Sequence, residues 1–499
     1  FPGEVRSAGI RERHKTKGLY EKMKNMTLEH IAAVCGGTYY GNEADRTKEI
    51  KGAVIDSRLV EPGYLFIPVK GEKVDGHRFI PDVFEKGALA VFSEQELCNA
   101  AGPYILVESS LAAMKMLAED YRKSLDIKVV GITGSVGKTS TKEMIASVLA
   151  QKYNVLKTEG NFNNEIGLPL TIFKIRQEHE VAVLEMGISE FGEMHRLAQM
   201  ANPDICVITN IGLCHLENLI TRDGILKAKT ESFEHLTPEG VAILNGDDDK
   251  LCEKKMVNGR PAVFYGLGAA PKRAETEKGE KTLAPKQIYA TEVEALGLTG
   301  MRAKIHIRNG NEPETQFTVE IPIAGEHNVY NALAAAAVAR ELGLTTEETK
   351  RGIEAVQTIG GRSNLLHRNG VTIIDDCYNA NPVSMKASID VLSKAEGRKI
   401  AVLGDMGELG AEERQLHFSV GEHFKGKGID ELFCTGELSK ALAEAVKQCS
   451  PETAVHYFDT KEALEEALLP GVSVGDSILV KASHFMGFPE IVKALTEEK

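Results

Sequence analysis

A glycine-rich segment, GITGSVGKTS at residues 131–140, carries the residue types that bind phosphate. Gly134 and Gly137 would let the backbone approach phosphate oxygens without a side chain in the way. Lys138 could reach the outer phosphates of a nucleotide, and the Thr139 hydroxyl could bind magnesium. These groups predict a phosphate-binding loop.

The glycine spacing departs from the usual loop pattern, which places four residues between its two glycines. Ile132 stands where the first of them is expected. The strand before the segment and the helix after it would still direct backbone N–H groups and the helix dipole at an anion. The predicted nucleotide-binding residues of the loop are Gly134, Ser135, Val136, Gly137, Lys138, Thr139 and Ser140.

Two further side chains could bind a metal ion beside this loop. Glu185 ends the apolar run VAVLE, and a carboxylate is a hard oxygen ligand that suits Mg²⁺. His215 follows the next apolar run, although imidazole is not the ligand that magnesium prefers. By pattern alone, an ordinary strand-end acid and a structural histidine remain open alternatives.

The loop by itself would also suit a GTPase, a kinase, a transporter motor or a ligase. A GTPase usually carries an Asn-Lys-x-Asp element for guanine, and the sequence has none. We therefore expect the nucleotide to be ATP.

Strands alternating with helices surround the loop. KVVGIT and VAVLEMG read as buried strands, and KTSTKEMIASVLAQ reads as a helix. Continuous apolar strands between helices are typical of a parallel α/β sheet. MRAKIHI and TQFTVEI alternate in polarity around an Asn309-Gly310 turn signal, which predicts a hairpin.

The whole chain is predicted to be an α/β protein of three domains. A central parallel-sheet ATPase domain is flanked by a small α/β N-terminal domain and a Rossmann-like α/β C-terminal domain. The predicted boundaries are 1–22 for a disordered leader or tag, 23–108 for the first domain, 109–323 for the central domain and 324–499 for the last.

Composition excludes several classes of protein. The net charge of −13 argues against general nucleic-acid binding, which normally shows a basic surplus. No apolar run approaches the roughly 18 residues of a membrane helix. The eight cysteines form no Cys-x-x-Cys pair, which disfavours a zinc ribbon and suits a reducing cytosol.

Taken together, the motifs from about residue 26 onward resemble the Mur ligase family. These motifs are the loop itself, TEGNFNNEIGLPLT (158–171), LEMGISEFGEM (184–194), NIGLCHLE (210–217), KAKTESF (227–233), GEHNVYNALAAA (325–336), GGRSN (360–364), IIDDCYNANPVSMKAS (373–388) and VLGDMGELG (402–410). The family's own loop has the same compressed glycine spacing.

The resemblance implies a bacterial cytoplasmic enzyme that uses ATP and Mg²⁺, with two ions expected, to form an amide bond through an acyl phosphate. DDCYNANP and GDMGELG are narrower motifs. They imply that D-alanyl-D-alanine is joined to UDP-N-acetylmuramoyl-tripeptide in peptidoglycan precursor synthesis. They disfavour two related enzymes, namely the ligase of the preceding step, which adds the diamino acid, and folylpolyglutamate synthetase. A non-catalytic nucleotide-dependent switch remains an alternative. We expect a monomer without nucleic-acid binding or membrane insertion.

By motif position, the resemblance also implies roles for individual residues. The implied metal ligands are Thr139, Glu185, His215 and Lys229, of which Lys229 would act as a carbamate. Lys227 is the neighbouring lysine with which Lys229 could be confused. Lys138 would stabilise the transferred phosphoryl group. The implied ATP contacts are Asn328, Asn331, Arg362 and Asp376. The implied substrate contacts are Ser57 and Arg58 for the uridine nucleotide, Asn163 and Asn164 for the muramoyl peptide, and Tyr378, Asn379 and Asn381 for the dipeptide.

Three positions depart from the family pattern. Tyr64 stands where aspartate is common, and Cys214 stands where alanine is common. His484 stands where the family often has arginine, so we assign it no role.

Overall fold

The computed structural model describes residues 22–71, 74–269, 273–276, 279–282, 285–310 and 313–497, with the backbone alone given for 273–276 and 279–282. Apart from Lys22, the predicted leader lies outside these residues. The chain divides into two compact units. One comprises the described residues up to Tyr121 together with Phe173–Glu178, and the other comprises Arg122–Ile172 and the described residues from His179 onward.

The first unit is built on a small five-stranded sheet. Its order is β1-β5-β4-β3-β2, with β1 antiparallel to β5 and the other neighbours parallel. The strands are β1 (Thr38–Tyr40), β2 (Gly52–Val54), β3 (Tyr64–Phe66), β4 (Ala90–Ser93) and β5 (Tyr104–Leu106). The helices are α1 (Leu28–Val34), α2 (Ile80–Glu85) and α3 (Ser110–Lys123), the last of which contains the unit boundary.

The second unit begins with a nine-stranded sheet. Its order is β18-β17-β16-β13-β10-β9-β6-β8-β7, while β11 pairs with β12 and β14 with β15. The strands are β6 (Lys128–Thr133), β7 (Val155–Lys157), β8 (Val181–Glu185), β9 (Ile205–Ile208), β10 (Val241–Asn245), β11 (Met256–Val257), β12 (Arg260–Pro261), β13 (Val263–Leu267), β14 (Arg273–Thr276), β15 (Gly279–Thr282), β16 (Ile288–Ala295), β17 (Met301–Ile307) and β18 (Thr315–Ile321).

Pairing is parallel from β7 to β16, and β17 and β18 continue the sheet as the predicted antiparallel hairpin. The parallel strands β6, β8 and β9 are almost wholly buried, as expected for strands covered on both faces. Helices accompany this sheet: α4 (Lys138–Leu149), α5 (Gly167–Ile172), α6 (Glu193–Ala201), α7 (Leu216–Leu219), α8 (Arg222–Thr230), α9 (Glu326–Glu341) and α10 (Thr346–Glu354).

Helix α9 packs among these strands through an alanine-rich stretch. Residues 332–339 are fully buried, and seven of these eight residues are Ala or Val. Small side chains let neighbouring helices and strands approach closely, so α9 joins the core that also contains α4, Ile132 and Val183. This packing brings the start of α9 next to the glycine-rich loop, since a Cβ added at Gly137 would lie 3.6 Å from Asn331 Oδ1.

A six-stranded sheet completes the second unit. Its order is β19-β20-β24-β21-β22-β23, antiparallel only between β19 and β20. The strands are β19 (Asn364–Arg368), β20 (Val371–Asp375), β21 (Lys399–Leu403), β22 (Glu431–Thr435), β23 (Ala454–Phe458) and β24 (Ser477–Lys481). The helices are α11 (Pro382–Ser393), α12 (Glu413–Glu422), α13 (Ser439–Cys449), α14 (Lys461–Leu468) and α15 (Pro489–Thr496).

The α/β class and the central parallel sheet confirm the predicted fold. The three larger sheets span residues 38–106, 128–321 and 364–481, while the domain boundaries at 108 and 323 stay predictions. Within the described ranges, the helices are all too short or too polar to span a bilayer.

Candidate active site

The glycine-rich loop follows β6, between the ends of two neighbouring parallel strands. Ile132 of β6 lies opposite Glu185 of β8, and Thr133 lies opposite Ile208 of β9. The carboxyl ends of these strands therefore meet at one edge of the sheet, which is where ligands bind in open α/β sheets.

A glycine is required at position 134. Its φ of +149° is one that side chains rarely adopt, and an added Cβ would lie 1.9 Å from Thr209 Oγ1. That hydroxyl donates to Val136 O at 2.6 Å, and the Asn210 side chain accepts from Val136 N at 3.1 Å. The loop is thus held by residues that follow β9.

The loop leads directly into α4, which begins at Lys138. The first N–H groups of a helix have no acceptor within the helix, so they can face an anion. Lys138 Nζ donates to Gly134 O at 2.9 Å, folded back over its own loop. This arrangement offers an anion backbone donors and one ammonium group.

Glu185 lies beside the first turn of α4 and is 1% exposed. Its Oε1 accepts from Thr139 Oγ1 at 3.2 Å and from Asn163 Nδ2 at 2.8 Å. Its Oε2 is buried and has no hydrogen-bond partner among the described residues. A buried carboxylate with a vacant oxygen suits a cation.

A buried lysine stands behind Glu185. Lys142 is 1% exposed, its Nζ donates to Thr158 O at 2.7 Å, and it lies 3.8 Å from Glu185 Oε2. The Thr158 hydroxyl accepts from Glu185 N at 3.0 Å. Lys142 and Thr158 therefore hold both the charge and the backbone of Glu185.

His215 and Lys229 are the other predicted metal ligands. His215 Nδ1 is buried and lies 2.6 Å from Glu408 Oε2. Contact with His215 lowers the pKa of Glu408, against the opposing effect of its burial. Both ends of this contact have left-handed backbones, with φ of +51° at His215 and +59° at Glu408.

Lys229 is fully buried, and its Nζ has no hydrogen-bond partner in the described part of the chain. Burial lowers its pKa to about 8; the Lys138 charge also lowers it, while the Cys214 thiol opposes both. Lys227 differs, because it is exposed and lies 5.8 Å from the centre of the Phe191 ring. The two lysines that the sequence could not distinguish thus differ in burial, with Lys229 buried and Lys227 exposed.

The far wall of the site is built around Asp376. This buried carboxylate accepts from Lys481 Nζ at 2.6 Å, Ser388 Oγ at 2.6 Å and Ser363 N at 3.0 Å. Burial alone would raise its pKa, but attraction to Lys481 and these hydrogen bonds lower it. Both carboxylate oxygens of Asp376 therefore accept hydrogen bonds from the protein, and the residue also lines the cavity beside Arg362.

The other predicted residues of this wall have structural partners. The Arg362 guanidinium lies 4.1 Å from the centre of the Tyr378 ring. The ring centre of His484 lies 5.7 Å from the ring centre of Tyr378. Asn379 O accepts from Lys481 Nζ at 3.0 Å. Asn381 caps α11 by accepting from Ser384 N at 2.9 Å.

A cavity of about 250 Å³ separates the loop from this wall. Asn331 lines it, and its Oδ1 accepts from Thr141 Oγ1 at 2.8 Å while its Nδ2 donates to Asn328 Oδ1 at 2.9 Å. The predicted residues that line the cavity are Ser135, Val136, Gly137, Lys138, Thr139, Ser140, Asn331, Arg362, Asp376, Asn379 and Asn381.

Two predicted substrate residues lie in the first unit. Arg58 is exposed and holds Asp56 through its Nε and Nη2, which lowers the pKa of Asp56 to about 2. Ser57 O accepts from Lys86 Nζ at 2.8 Å. In the second unit, Asn164 Oδ1 accepts from Gly167 N at 2.9 Å at the start of α5.

Sequence reasoning missed several residues that shape the site, namely Lys142, Thr209, Asn210, Glu408 and Lys481. Lys481 ends the apolar run SILVK as Glu185 ends VAVLE, so the same strand-end rule could have found it. Lys142 carried no such signal, since a lysine on a helix is usually solvated.

The chain is similar to known proteins along most of its length. Family models for the Mur ligase catalytic, middle and glutamate ligase domains match residues 49–122, 132–339 and 361–484. The UDP-N-acetylmuramoyl-tripeptide–D-alanyl-D-alanine ligase of Bacillus subtilis (strain 168) is 38% identical, covering 95% of this chain and 99% of its own.

Solved structures show the same relationship. MurF from Acinetobacter baumannii has a TM-score of 0.81 at 31% identity, covering 95% of this chain and 99% of its own. MurF ligase from Thermotoga maritima in complex with ADP has a TM-score of 0.75 at 30% identity, covering 89% and 97%. The chain therefore belongs to the Mur ligase family.

Proposed function

We propose that this chain joins D-alanyl-D-alanine to UDP-N-acetylmuramoyl-tripeptide, using ATP and an acyl-phosphate intermediate. Family membership makes it an ATP-dependent amide ligase, and the substrates are those named for its bacterial relatives. One observation carries the proposal: beside a phosphate-binding loop, Glu185 Oε2 and Lys229 Nζ are buried without a hydrogen-bond partner among the described residues.

ATP is proposed to bind with its phosphates on the loop and its nucleoside in the adjoining cavity. The first-turn N–H groups of α4 and the Lys138 ammonium would face the phosphates. Asn331 and Arg362, which line the same cavity, would face the rest of the nucleotide. The Thermotoga relative was solved in complex with ADP, which supports nucleotide binding by this chain.

The donor set fits magnesium. The Thr139 hydroxyl and the vacant Oε2 of Glu185 are hard oxygen donors. A carbamate at Lys229 would add a further oxygen donor, and an amine whose pKa is about 8 is partly uncharged near neutral pH, which carbon dioxide addition requires. Magnesium would neutralise phosphate charge where two anions must meet.

The chain's own groups would then organise two steps. The terminal carboxylate of the tripeptide attacks the γ-phosphorus of ATP, forming the acyl phosphate and releasing ADP. The amine of D-alanyl-D-alanine attacks the acyl carbon, forming the amide and releasing phosphate and a proton. Lys138 would stabilise the transferred phosphoryl group, and the loop would hold it in line.

The substrate contacts are proposals of their own. Ser57 and Arg58 would bind the uridine nucleotide, and Arg58 offers a planar donor group that suits phosphate. Tyr378, Asn379 and Asn381 would face the dipeptide. Asn163 and Asn164 would lie at the muramoyl peptide. The Asn163 amide already donates to Glu185, so Asn163 would act on the peptide through Glu185.

The domain boundaries at 108 and 323 and a monomeric state belong to the same proposal. We place the reaction in the bacterial cytoplasm, because its acid substrate carries a uridine nucleotide and its cosubstrate is ATP.

A substrate panel tests the function. Purified protein with ATP and Mg²⁺ is offered UDP-linked tripeptides ending in lysine or diaminopimelate, each with and without D-alanyl-D-alanine, and products are identified by mass spectrometry. We expect the pentapeptide product and phosphate release only when both substrates are present. ATP hydrolysis that needs no amine would instead favour a nucleotide-dependent switch.

The carbamate has a separate test. Protein equilibrated with ¹³C-bicarbonate should show one carbamate carbon resonance, which Lys229→Ala removes and Lys227→Ala retains. A resonance that survives in Lys229→Ala would refute this assignment.

A further inference from the structure

The motif GDMGELG, residues 404–410, has no assigned role in the reaction above. It follows β21 and is anchored within its own part of the fold. Met406 N donates to His417 Nε2 at 2.9 Å, and Gly407 N donates to Ser483 Oγ at 2.9 Å. The next residue, Glu408, is therefore presented from a braced loop.

Glu408, which follows β21 of the six-stranded sheet, contacts His215, which follows β9 of the nine-stranded sheet. The two side chains approach to 2.6 Å between Oε2 and Nδ1. The backbones are also close, since a Cβ added at Gly410 would lie 3.5 Å from Glu217 N. Both meeting residues adopt left-handed backbones without being glycine, a conformation that is uncommon and concentrates at functional sites.

The choice of ring nitrogen gives this contact its meaning. A histidine that binds a metal through one nitrogen usually donates its other N–H to a carboxylate, which fixes the tautomer and the ring orientation. Here the carboxylate lies at Nδ1, so Nε2 is the nitrogen left for a metal. Among the described residues, Nδ1 has no other hydrogen-bond acceptor.

We propose that Glu408 is a positioning residue for the metal site: it accepts the Nδ1–H of His215 and holds Nε2 ready to bind the metal ion. This inference rests on the proposed function, in which His215 is a metal ligand. It gives the GDMGELG motif a physical task, since the loop after β21 supplies the partner for a ligand that follows β9.

The test measures metal binding rather than turnover. Mn²⁺ binding in the presence of ADP is followed by electron paramagnetic resonance of the free ion. Loss of an outer partner of a metal ligand typically weakens affinity by about 10- to 100-fold, so we expect that loss in Glu408→Ala. Glu412→Ala is the matched control, because it removes an exposed carboxylate from the adjoining segment and should bind Mn²⁺ as the wild type does.

A double-variant cycle shows whether Glu408 acts through His215. In a His215→Ala background, Glu408→Ala should cause no further loss. Equal losses in both backgrounds would overturn the inference, as would unchanged Mn²⁺ affinity in Glu408→Ala or in His215→Ala alone. Melting temperatures of all variants establish that each protein is folded.

Product formation by the same wild-type preparation separates this inference from the proposed function. A wild type that makes the pentapeptide, with Glu408→Ala binding Mn²⁺ as tightly as Glu412→Ala, refutes the role of Glu408 alone. A wild type that makes no pentapeptide refutes the proposed function, while the cycle still decides the Glu408–His215 coupling.

Discussion

The two sides of the cavity differ in how their buried polar groups are satisfied. On the loop side, Glu185 Oε2 and Lys229 Nζ are buried without hydrogen-bond partners in the described residues. On the opposite wall, Asp376 accepts from Lys481, Ser388 and Ser363. Burying an unpaired polar group is costly. The groups on the loop side are therefore suited to bind a ligand, whereas the groups on the wall are satisfied by contacts within the protein.

This comparison predicts that side chains of the loop side matter mainly for chemistry, whereas side chains of the wall matter mainly for stability.

Removal of a charge on the loop side should abolish the reaction and spare the fold. Lys138→Ala should lower product formation by at least about 1,000-fold, because one positioned cation on a transferred phosphoryl group contributes at least that much. Glu185→Ala should have a similar effect. Product is measured by mass spectrometry and folding by thermal melting, with Lys227→Ala as the control; wild-type turnover in either variant would refute the roles of these residues.

A methyl group at position 134 should damage the loop itself. In Gly134→Ala the new Cβ would meet Thr209 Oγ1, and the φ of +149° would be strained. Such strain costs about 1–3 kcal/mol, so we expect ADP affinity to fall by about 10- to 100-fold in calorimetric titration. Gly471→Ala, where an added Cβ meets nothing within 4 Å, should bind ADP normally, and normal binding by Gly134→Ala would contradict the described loop.

Loss of the cation on the opposite wall should cost stability instead. Lys481→Met leaves Asp376 as a buried, unpaired charge, which typically costs about 3–5 kcal/mol. The free energy of unfolding in urea measures this cost, and Lys481→Met with Asp376→Asn should recover part of it. No recovery in the double variant would show that the ion pair is not the source.

The same pair predicts a direction with pH. The folded-state pKa of Asp376 lies below its unfolded value of 3.8. Its stabilising contribution is therefore present above pH 3.8 and is lost as the pH falls through the lower folded value. The difference in unfolding free energy between wild type and Lys481→Met should shrink in acid.

The smallest effect is expected at Asn381, which both caps α11 and is proposed to face the dipeptide. Loss of the cap in Asn381→Ala should cost about 1 kcal/mol of stability. A KM for D-alanyl-D-alanine that stays unchanged would assign Asn381 to the wall alone. A raised KM at unchanged kcat would show that Asn381 also binds the dipeptide. Asn381→Ser, which keeps a capping oxygen, separates the capping role from the binding role.

Local pattern was sufficient for much of this protein. The strand KVVGIT was predicted at its observed bounds, and so were the strands MRAKIHI and TQFTVEI of the hairpin. Glu185 was predicted as a strand-end carboxylate near the loop and lies there. These features depend on residue period, turn chemistry and strand ends, all of which act over a few neighbouring residues.

Pairing between distant residues was decided only by the tertiary structure. Asn163 turns to Glu185, Asp376 pairs with Lys481 across 105 positions, and Glu408 meets His215. Nothing in the residues around any of them specifies the partner, because each contact exists only once sheets and helices have packed. The sequence by itself therefore determined which groups stand at the strand ends, and packing determined which of them are satisfied and which are left for ligands.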